Sequence, residues 1–550
     1  LATGIGGAAF TGYLVIPPPN PPRGREVTTF GARPDTILHG GEATMKRWTL
    51  VGLSVVFFIA LCGVVDAGQQ PFKGKKITVS VNAGGRKASS SGDLYEWREK
   101  WQELSGAELE IVEIPSGEHL EKIIVDNMTG ANRFDASIIG SFWYGTLIAE
   151  GFIIPTEQFH NDPRMPQWPK DLMPGQEKLY KWGGKWYGVP FDHDGQALYY
   201  RKDILNDPKW KAAFKKEKGY DLPVPPKTIE QLIDVSGFFN GKDWNGDKQP
   251  DSGIAMHLKV GGQGMYHFMT FSAPLTVLPG DKVDRYHNVY DFDPETMEPL
   301  VNDPGHVRAL EMLIKLAKTG PDAQTGWALR EAWTHFLTGK AVFCFTWGDL
   351  GALAQQKDSV VKGKLGVSIM PGSYEVWDGS KKEFVKLKEP NVVGNTTGGS
   401  WHGVIMKASK NQDVAYHLLA FHATKEVSQW AAATGWDARD PGRKSQFVKP
   451  YGEMEAAEYV KFGWDAEDAK AYSKAYHDVF SQKTMLPYLR IKGALEYWVA
   501  LDRNLSEAMI GRMTAKEALD RCAKDWNEIT NRLGRTEQLK MYREAIGYTP

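Results

Sequence analysis

Cysteine is scarce in this chain, with 3 in 550 residues, and that excludes a small fold stapled by disulfides. The cysteines and histidines show no zinc-site spacing, and no Gly-rich Walker-type loop for nucleotide phosphates is present. An excess of positive charge is also missing. Lys and Arg number 66 against 67 Asp and Glu, a formal net charge of -1, so there is no surplus to neutralise the phosphates of a nucleic acid. Only one uncharged apolar run approaches the length of a membrane segment, and it lies near the N-terminus. What is plentiful is aromatic side chain, at 12% with 19 Trp, more than a generic core needs and suited to a cleft where rings meet a guest. The length exceeds what one hydrophobic core supports, so at least two domains or lobes are expected.

The informative start is Met45. The basic pair Lys46-Arg47 and the apolar run Leu50 to Val65 follow it, the layout of a secretory signal peptide. Val65-Asp66-Ala67 puts small residues at the minus-three and minus-one positions, so cleavage is expected after Ala67, with a mature chain from Gly68. An uncleaved anchor is the alternative, while lipidation at Cys62 is disfavoured because Leu61 stands where a small residue is wanted. Residues 1–44, with Pro17-Pro18-Pro19-Asn20-Pro21-Pro22, read as an upstream extension outside the fold. After the leader only Cys344 and Cys522 remain, and one bridge between them is open.

Along the mature chain, Ile77–Val81 predicts a strand. Asp93–Leu104 predicts a helix with Leu94, Trp97, Trp101 and Leu104 on one stripe. Leu109–Ile114, a helix over about 118–128 and Phe134–Ile139 complete a βαβαβ pattern, which implies a parallel sheet. Ligands bind beyond the carboxyl ends of such strands, here Asn82 to Arg86, Pro115 to Gly117 and Gly140 to Tyr144. Phe191–Arg201 reads as one strand leaving this sheet at a first hinge. Further on, helices near Val307–Lys318 and Ala328–Leu337 precede a strand, Ala341–Thr346, whose end delivers Trp347, Gly348 and Asp349. A strand at Leu365–Pro371, a polar Gly-rich loop Val393–Ser400 and a strand His402–Met406 return the chain to the first sheet. Helices at Gln412–Thr424 and Lys425–Ala433 lead into a mainly helical tail. The expected architecture is α/β and two-lobed, with residues 68–191 and about 370–425 in one lobe and 192–369 and about 426–550 in the other.

The run Tyr180-Lys181-Trp182-Gly183-Gly184-Lys185-Trp186-Tyr187-Gly188-Val189-Pro190, then Ala197-Leu198-Tyr199-Tyr200-Arg201-Lys202-Asp203, resembles a passage of the extracellular solute-binding proteins of the sugar-binding family (family 1) of ABC importers. Phe336-Leu337-Thr338-Gly339-Lys340-Ala341, Gly398-Gly399-Ser400 and Ala408-Ser409-Lys410-Asn411 agree in order and spacing, so the resemblance spans about 70–540. It implies a type II-like periplasmic-binding-protein fold, closing on ligand at a hinge. It also implies ABC permease subunits as partners, a periplasmic location, no catalysis and no required cofactor.

A sugar offers apolar C–H faces to an indole and hydroxyls to planar polar groups. Trp143, Trp347 and Trp401 are the expected stacking residues, and Asn82, Arg86, Asp192, Asp194 and Asp349 the hydroxyl readers. Each has a plainer role available: a strand-end Trp packs under a loop, and Asp349 caps a helix. His193, between two carboxylates, reads as a hydrogen-bonding or hinge residue in preference to an acid or base. Asp243-Trp244-Asn245-Gly246-Asp247-Lys248-Gln249-Pro250-Asp251 sets oxygens at alternate positions, as a calcium loop does, with Asp243, Asn245, Asp247, Gln249 and Asp251 as ligands. Lys248 at the turn position and Ile254 in place of a bidentate Glu depart from that pattern, and a polar turn is the alternative. The expected function is capture of a carbohydrate or polyol by a monomer that hands it to a permease. The rival is an exported glycoside hydrolase or lyase using Asp192, Asp194 and Asp349.

Overall fold

The structure, a computed structural model, describes residues 70–84, 91–435 and 439–550. The leader segment with its cleavage site, and Arg86, lie outside the described residues. Residues from Gln69 onward form one compact unit.

The first half builds a sheet from short apolar runs. Strand β1 (Lys76–Asn82) leads through α1 (Arg98–Ser105) to β2 (Glu108–Ile114), and through α2 (His119–Met128) to β3 (Ala136–Gly140). β1 lies parallel to both β2 and β3, as helical crossovers require. The helix expected over 93–104 breaks at Trp97 into Gly92–Glu96 and α1. The short β4 (Ile153–Ile154) and β5 (Val189–Asp192) follow.

The segment read as one strand, Phe191 to Arg201, is two strands in two sheets. β5 ends at Asp192, and after His193-Asp194-Gly195-Gln196 the chain enters β6 (Ala197–Arg201) of a second sheet. That sheet also holds β7 (Ser252–Ala255), reached before α3 (Gly264–Thr276) and α4 (Pro304–Ala317), then β8 (Ala341–Thr346) and β9 (Leu365–Ser368). Its order is β9-β6-β8-β7, with β6 antiparallel to both neighbours and β7 parallel to β8. A hairpin of β10 (Ser373–Asp378) and β11 (Glu383–Asn391) hangs on α3, where the Asn391 side chain donates to the carbonyls of Pro274 (3.0 Å) and Val277 (2.8 Å).

β12 (Trp401–Met406) then returns to the first sheet, giving β2-β1-β3-β12-β4 with β5 paired on β12. It runs antiparallel to β3, β4 and β5. Its first residue, Trp401, therefore lies at the carboxyl ends of β3 and β5, opposite Gly140 and Asp192. α5 (Gln412–His422) covers one face of this sheet, with Val414, Leu418 and Leu419 buried against Val79, Val81 and Ile405. Of the later helices, α6 (Ala466–Phe480) packs with the second sheet through Tyr472 and Tyr476, and α7 (Ala494–Met509) sends Trp498 between the two halves. One apolar cluster runs unbroken from Ile139 and Trp143 of the first half to Phe343, Phe345 and Trp347 of the second. Cys344 and Cys522 are both buried free thiols, so the possible bridge is not formed. Among the described residues, no helix is long and apolar enough to cross a membrane.

Candidate functional site at the strand ends

Three connections between the sheets meet at residues 192–196. The Asp194 N–H donates to Ser400 Oγ (3.0 Å), and the Ser400 N–H returns a bond to Asp194 Oδ2 (2.9 Å). Gln196 and Asn395 do the same: the Gln196 N–H reaches Asn395 Oδ1 (2.8 Å), and Asn395 Nδ2 reaches the Gln196 carbonyl (2.9 Å). The segment near Asp440 joins them, its N–H donating to Asp192 Oδ1 (2.6 Å) while its carbonyl lies 3.2 Å from His193 Nδ1. His193 is thus a hydrogen-bonding residue within a connection between the two sheets.

This convergence gathers four carboxylates. Asp192 ends β5, Asp194 sits in the first connection, Asp349 follows β8, and Asp440 belongs to the third. Burial, with Asp349 nearby, raises Asp192 to about 7, and burial raises Asp349 to about 6. Burial, followed by repulsion from the other members, holds Asp194 and Asp440 well above the usual carboxylate range. Arg439 is close enough to Asp192 to oppose its shift, but its own ion pair is with Asp93 (2.8 Å). Among the described residues, the site is acidic and short of cations, with Asp192 and Asp440 buried and Asp194 and Asp349 half-buried.

The predicted Trp residues surround it in two groups. Trp143 meets His119 (5.3 Å between ring centroids), Phe142 (5.7 Å) and Trp401 (6.2 Å), all edge to face. Asn82 joins this group through His119, whose Nδ1 lies 2.9 Å from Asn82 Oδ1. Trp347 stands in the other half, stacked on His257 (5.4 Å, 21°) and met edge-on by Tyr266 (5.5 Å), with its indole N–H on the Thr397 carbonyl (2.6 Å). Tyr266 contacts Trp498 (5.6 Å) and Trp498 contacts Phe142 (5.3 Å), so a chain of rings links Trp347 to Trp143 across the gap between the sheets. Trp143 is 3% and Trp347 4% exposed. The Gly398-Gly399 turn closes over Trp347 and Tyr488. At Gly398 (φ +111°) a Cβ would lie 2.6 Å from both Asp194 Cγ and Trp347 Nε1, and at Gly399 2.4 Å from the Tyr488 ring.

Of the expected residues, Asp192, Asp194 and Asp349 come together, Trp143 joins Trp401, and Trp347 and Asn82 connect through intermediaries. Sequence reading missed Asp440, Phe142, His257, Tyr266, Tyr488 and Trp498. Asp440 precedes Pro441-Gly442, a turn signal that marks a loop without saying where the loop goes.

The candidate calcium loop lies elsewhere. It leads into β7, and Lys340 beside it leads into β8, so it caps the amino ends of these parallel strands while Trp347 and Asp349 occupy the carboxyl end. Asp243 accepts from the N–H groups of Gly246 (2.7 Å) and Lys248 (3.1 Å), Asn245 from Asp247 (2.9 Å), and Asp247 from Gln249 (2.9 Å). Asp251 accepts from Trp244 (3.2 Å) and from the Asn245 amide (2.7 Å), and Lys340 Nζ binds Asp247. Oxygens of Asp243, Asn245, Asp247 and Asp251 thus accept from the protein's own donors, with an ammonium among them. Among the described residues no three His, Cys, Asp or Glu side chains converge as metal ligands.

Residues 96–450 match the protein family described as bacterial extracellular solute-binding protein. The chain belongs to that family. This solute-binding protein is 23% identical over 329 residues to a probable ABC transporter-binding protein of Deinococcus radiodurans, covering 58% of the chain and 66% of the relative. Further curated relatives are matched over 36 to 56% of their own lengths. A solute-binding protein of Agrobacterium radiobacter K84 solved with ribitol superposes with a TM-score of 0.61 at 18% identity, over 84% of this chain and all of that one. Maltose-bound MalE3 of T. maritima gives 0.59 at 19%, over 82% and 99%. The solute-binding protein therefore has the two-lobed periplasmic-binding-protein fold expected from its sequence.

Proposed function

We propose that this solute-binding protein, acting as a monomer, captures a neutral sugar or polyol between its two sheets and hands it to the membrane subunits of an ABC importer. One observation carries the reading. Asp192 and Asp194 from the side of the first sheet and Trp347 and Asp349 from the second converge at a three-way connection, so a guest held by all of them is reachable only with the halves closed together. A guest that adds contacts unique to the closed form shifts the open–closed balance toward it. Relatives named as ABC transporter-binding proteins, and neighbours of the same fold solved with ribitol or maltose, support this class of cargo. Export through the Met45–Ala67 leader would place the protein where such cargo is met, and N-terminal sequencing of secreted protein should begin at Gly68.

The test is equilibrium titration of the purified protein with sugars and polyols, following intrinsic Trp fluorescence. A saturable, stoichiometric shift without chemical change in the ligand is the expected result. Release of new reducing ends from a glycan would replace this reading with a hydrolase.

A further inference from the structure

Away from the acidic centre, a cavity of about 70 Å³ is lined by Lys178, Thr396, Leu486, Tyr488, Arg490 and Ile546, among others. It has several times the ~10–15 Å³ that one water needs. Among the described residues no Asp or Glu lines it, while two cations do. It adjoins the connections between the sheets through Thr396, next to Asn395 in the chain, and through Tyr488, the ring packed against Gly399.

Arg490 sets this cavity apart. It is 4% exposed, and its donors meet only neutral acceptors: Nη1 reaches the carbonyls of Leu179 and Lys181 (2.9 Å each), and Nη2 that of Ala545 (2.9 Å). Among the described residues no carboxylate lies within ion-pair distance of it, and its Nε–H and one Nη2–H have no acceptor. Three other arginines there are buried, and each has a carboxylate: Arg201 pairs with Asp203 (2.6 Å), Arg439 with Asp93 (2.8 Å) and Arg443 with Asp171 (2.8 Å). A buried charge without an opposite partner is costly. Burial pushes the Arg490 guanidinium down to about 10, and only Tyr144 opposes the shift.

We infer that this cavity is a binding site for a small organic carboxylate, gripped by Arg490 and attracted by the exposed Lys178. The site is separate from that of the captured solute and does not rest on the uptake reading. Nε and Nη2 are the two nitrogens with which Arg201 grips both oxygens of Asp203 (2.8 and 2.6 Å), the paired geometry that suits a planar carboxylate. The apolar part of the wall, Leu486 and Ile546 included, suits a short alkyl tail and disfavours a doubly charged phosphate.

Calorimetry of the full chain with sodium acetate, sodium phosphate and sodium chloride, at matched ionic strength, tests this. Acetate should bind saturably at one site. Arg490→Lys keeps the charge but loses the fork, and should weaken acetate roughly tenfold or more. Lys178→Gln, an exposed change, should weaken it about threefold. If Arg490→Lys fails to melt cooperatively, Lys178→Gln decides alone. Binding of phosphate or chloride without acetate overturns the carboxylate assignment. Absence of binding by all three anions, or acetate affinity unchanged in the folded variants, overturns the site.

Discussion

Two aspartate groups, one around Asp192 and Asp194 and one in the Asp243–Asp251 loop, look alike in sequence and behave oppositely in the fold. In the loop each carboxylate is met by backbone N–H groups a few residues away, and Lys340 supplies a positive charge. Around Asp192 the four carboxylates come from three separate stretches of chain, are drawn together with Asp192 and Asp440 buried and Asp194 and Asp349 half-buried, and lack a paired cation among the described residues. Spacing along the chain is a local property, whereas the charge state of a carboxylate is set by what the whole fold packs around it.

Glycine offers the strongest way to break this contrast. Gly398→Ala should cost roughly 3 kcal/mol or more, because overpacking by a methyl adds to a backbone conformation that L residues avoid. Gly246→Ala in the loop meets nothing within 4 Å, so only the conformational strain of about 1 kcal/mol remains. Chemical denaturation of the two variants reads the difference, and equal losses would show that the closed turn is not tightly packed.

A pH series sharpens it next. Asp192 and Asp349 have folded-state values raised to about 7 and about 6, above the ordinary carboxylate value, so the folded protein binds more protons than the unfolded chain in between. Their stabilising effect is full at low pH and lost as pH rises through 6 to 7. The melting temperature should thus be lower at about pH 8 than at about pH 5.5 on this account, and Asp192→Asn should flatten the slope. Asp247 has the opposite sign: its hydrogen bond to Lys340 lowers its value, so its contribution is present at neutral pH and fades in acid. The smallest effect is expected at the loop's ion pair. Lys340→Met, or millimolar calcium added to the wild type, should move the melting temperature by about 1 °C or less, as surface pairs do. A calcium-induced rise of several degrees would show that the ion displaces Lys340.

The first sheet is legible in the sequence because its strands are short apolar runs separated by amphipathic helices, and β8 falls where its pattern puts it. The break within Phe191–Arg201 is not legible, since apolar residues flank it on both sides. Only the distant partners Asn395 and Ser400 show why the chain changes sheets there. The hairpin of β10 and β11 escapes sequence reading although Val385-Lys386-Leu387-Lys388 alternates, because that alternation is short and set among Lys and Glu. Among site residues, the aspartates at strand ends follow from topology. Asp440 does not, and neither do the rings that cover Trp143 and Trp347, because both depend on contacts between residues far apart in the chain.

The paired bonds between Asp194 and Ser400, and between Gln196 and Asn395, tie two crossing connections into a single plate. Groups lying on such an axle travel least when the halves swing apart, while those farther out sweep the widest arc. The bonded backbone of these connections would then keep its arrangement in both positions of the molecule, while Trp347 and Asp349, which lie outside the paired bonds, would part from Asp192 as the halves swing.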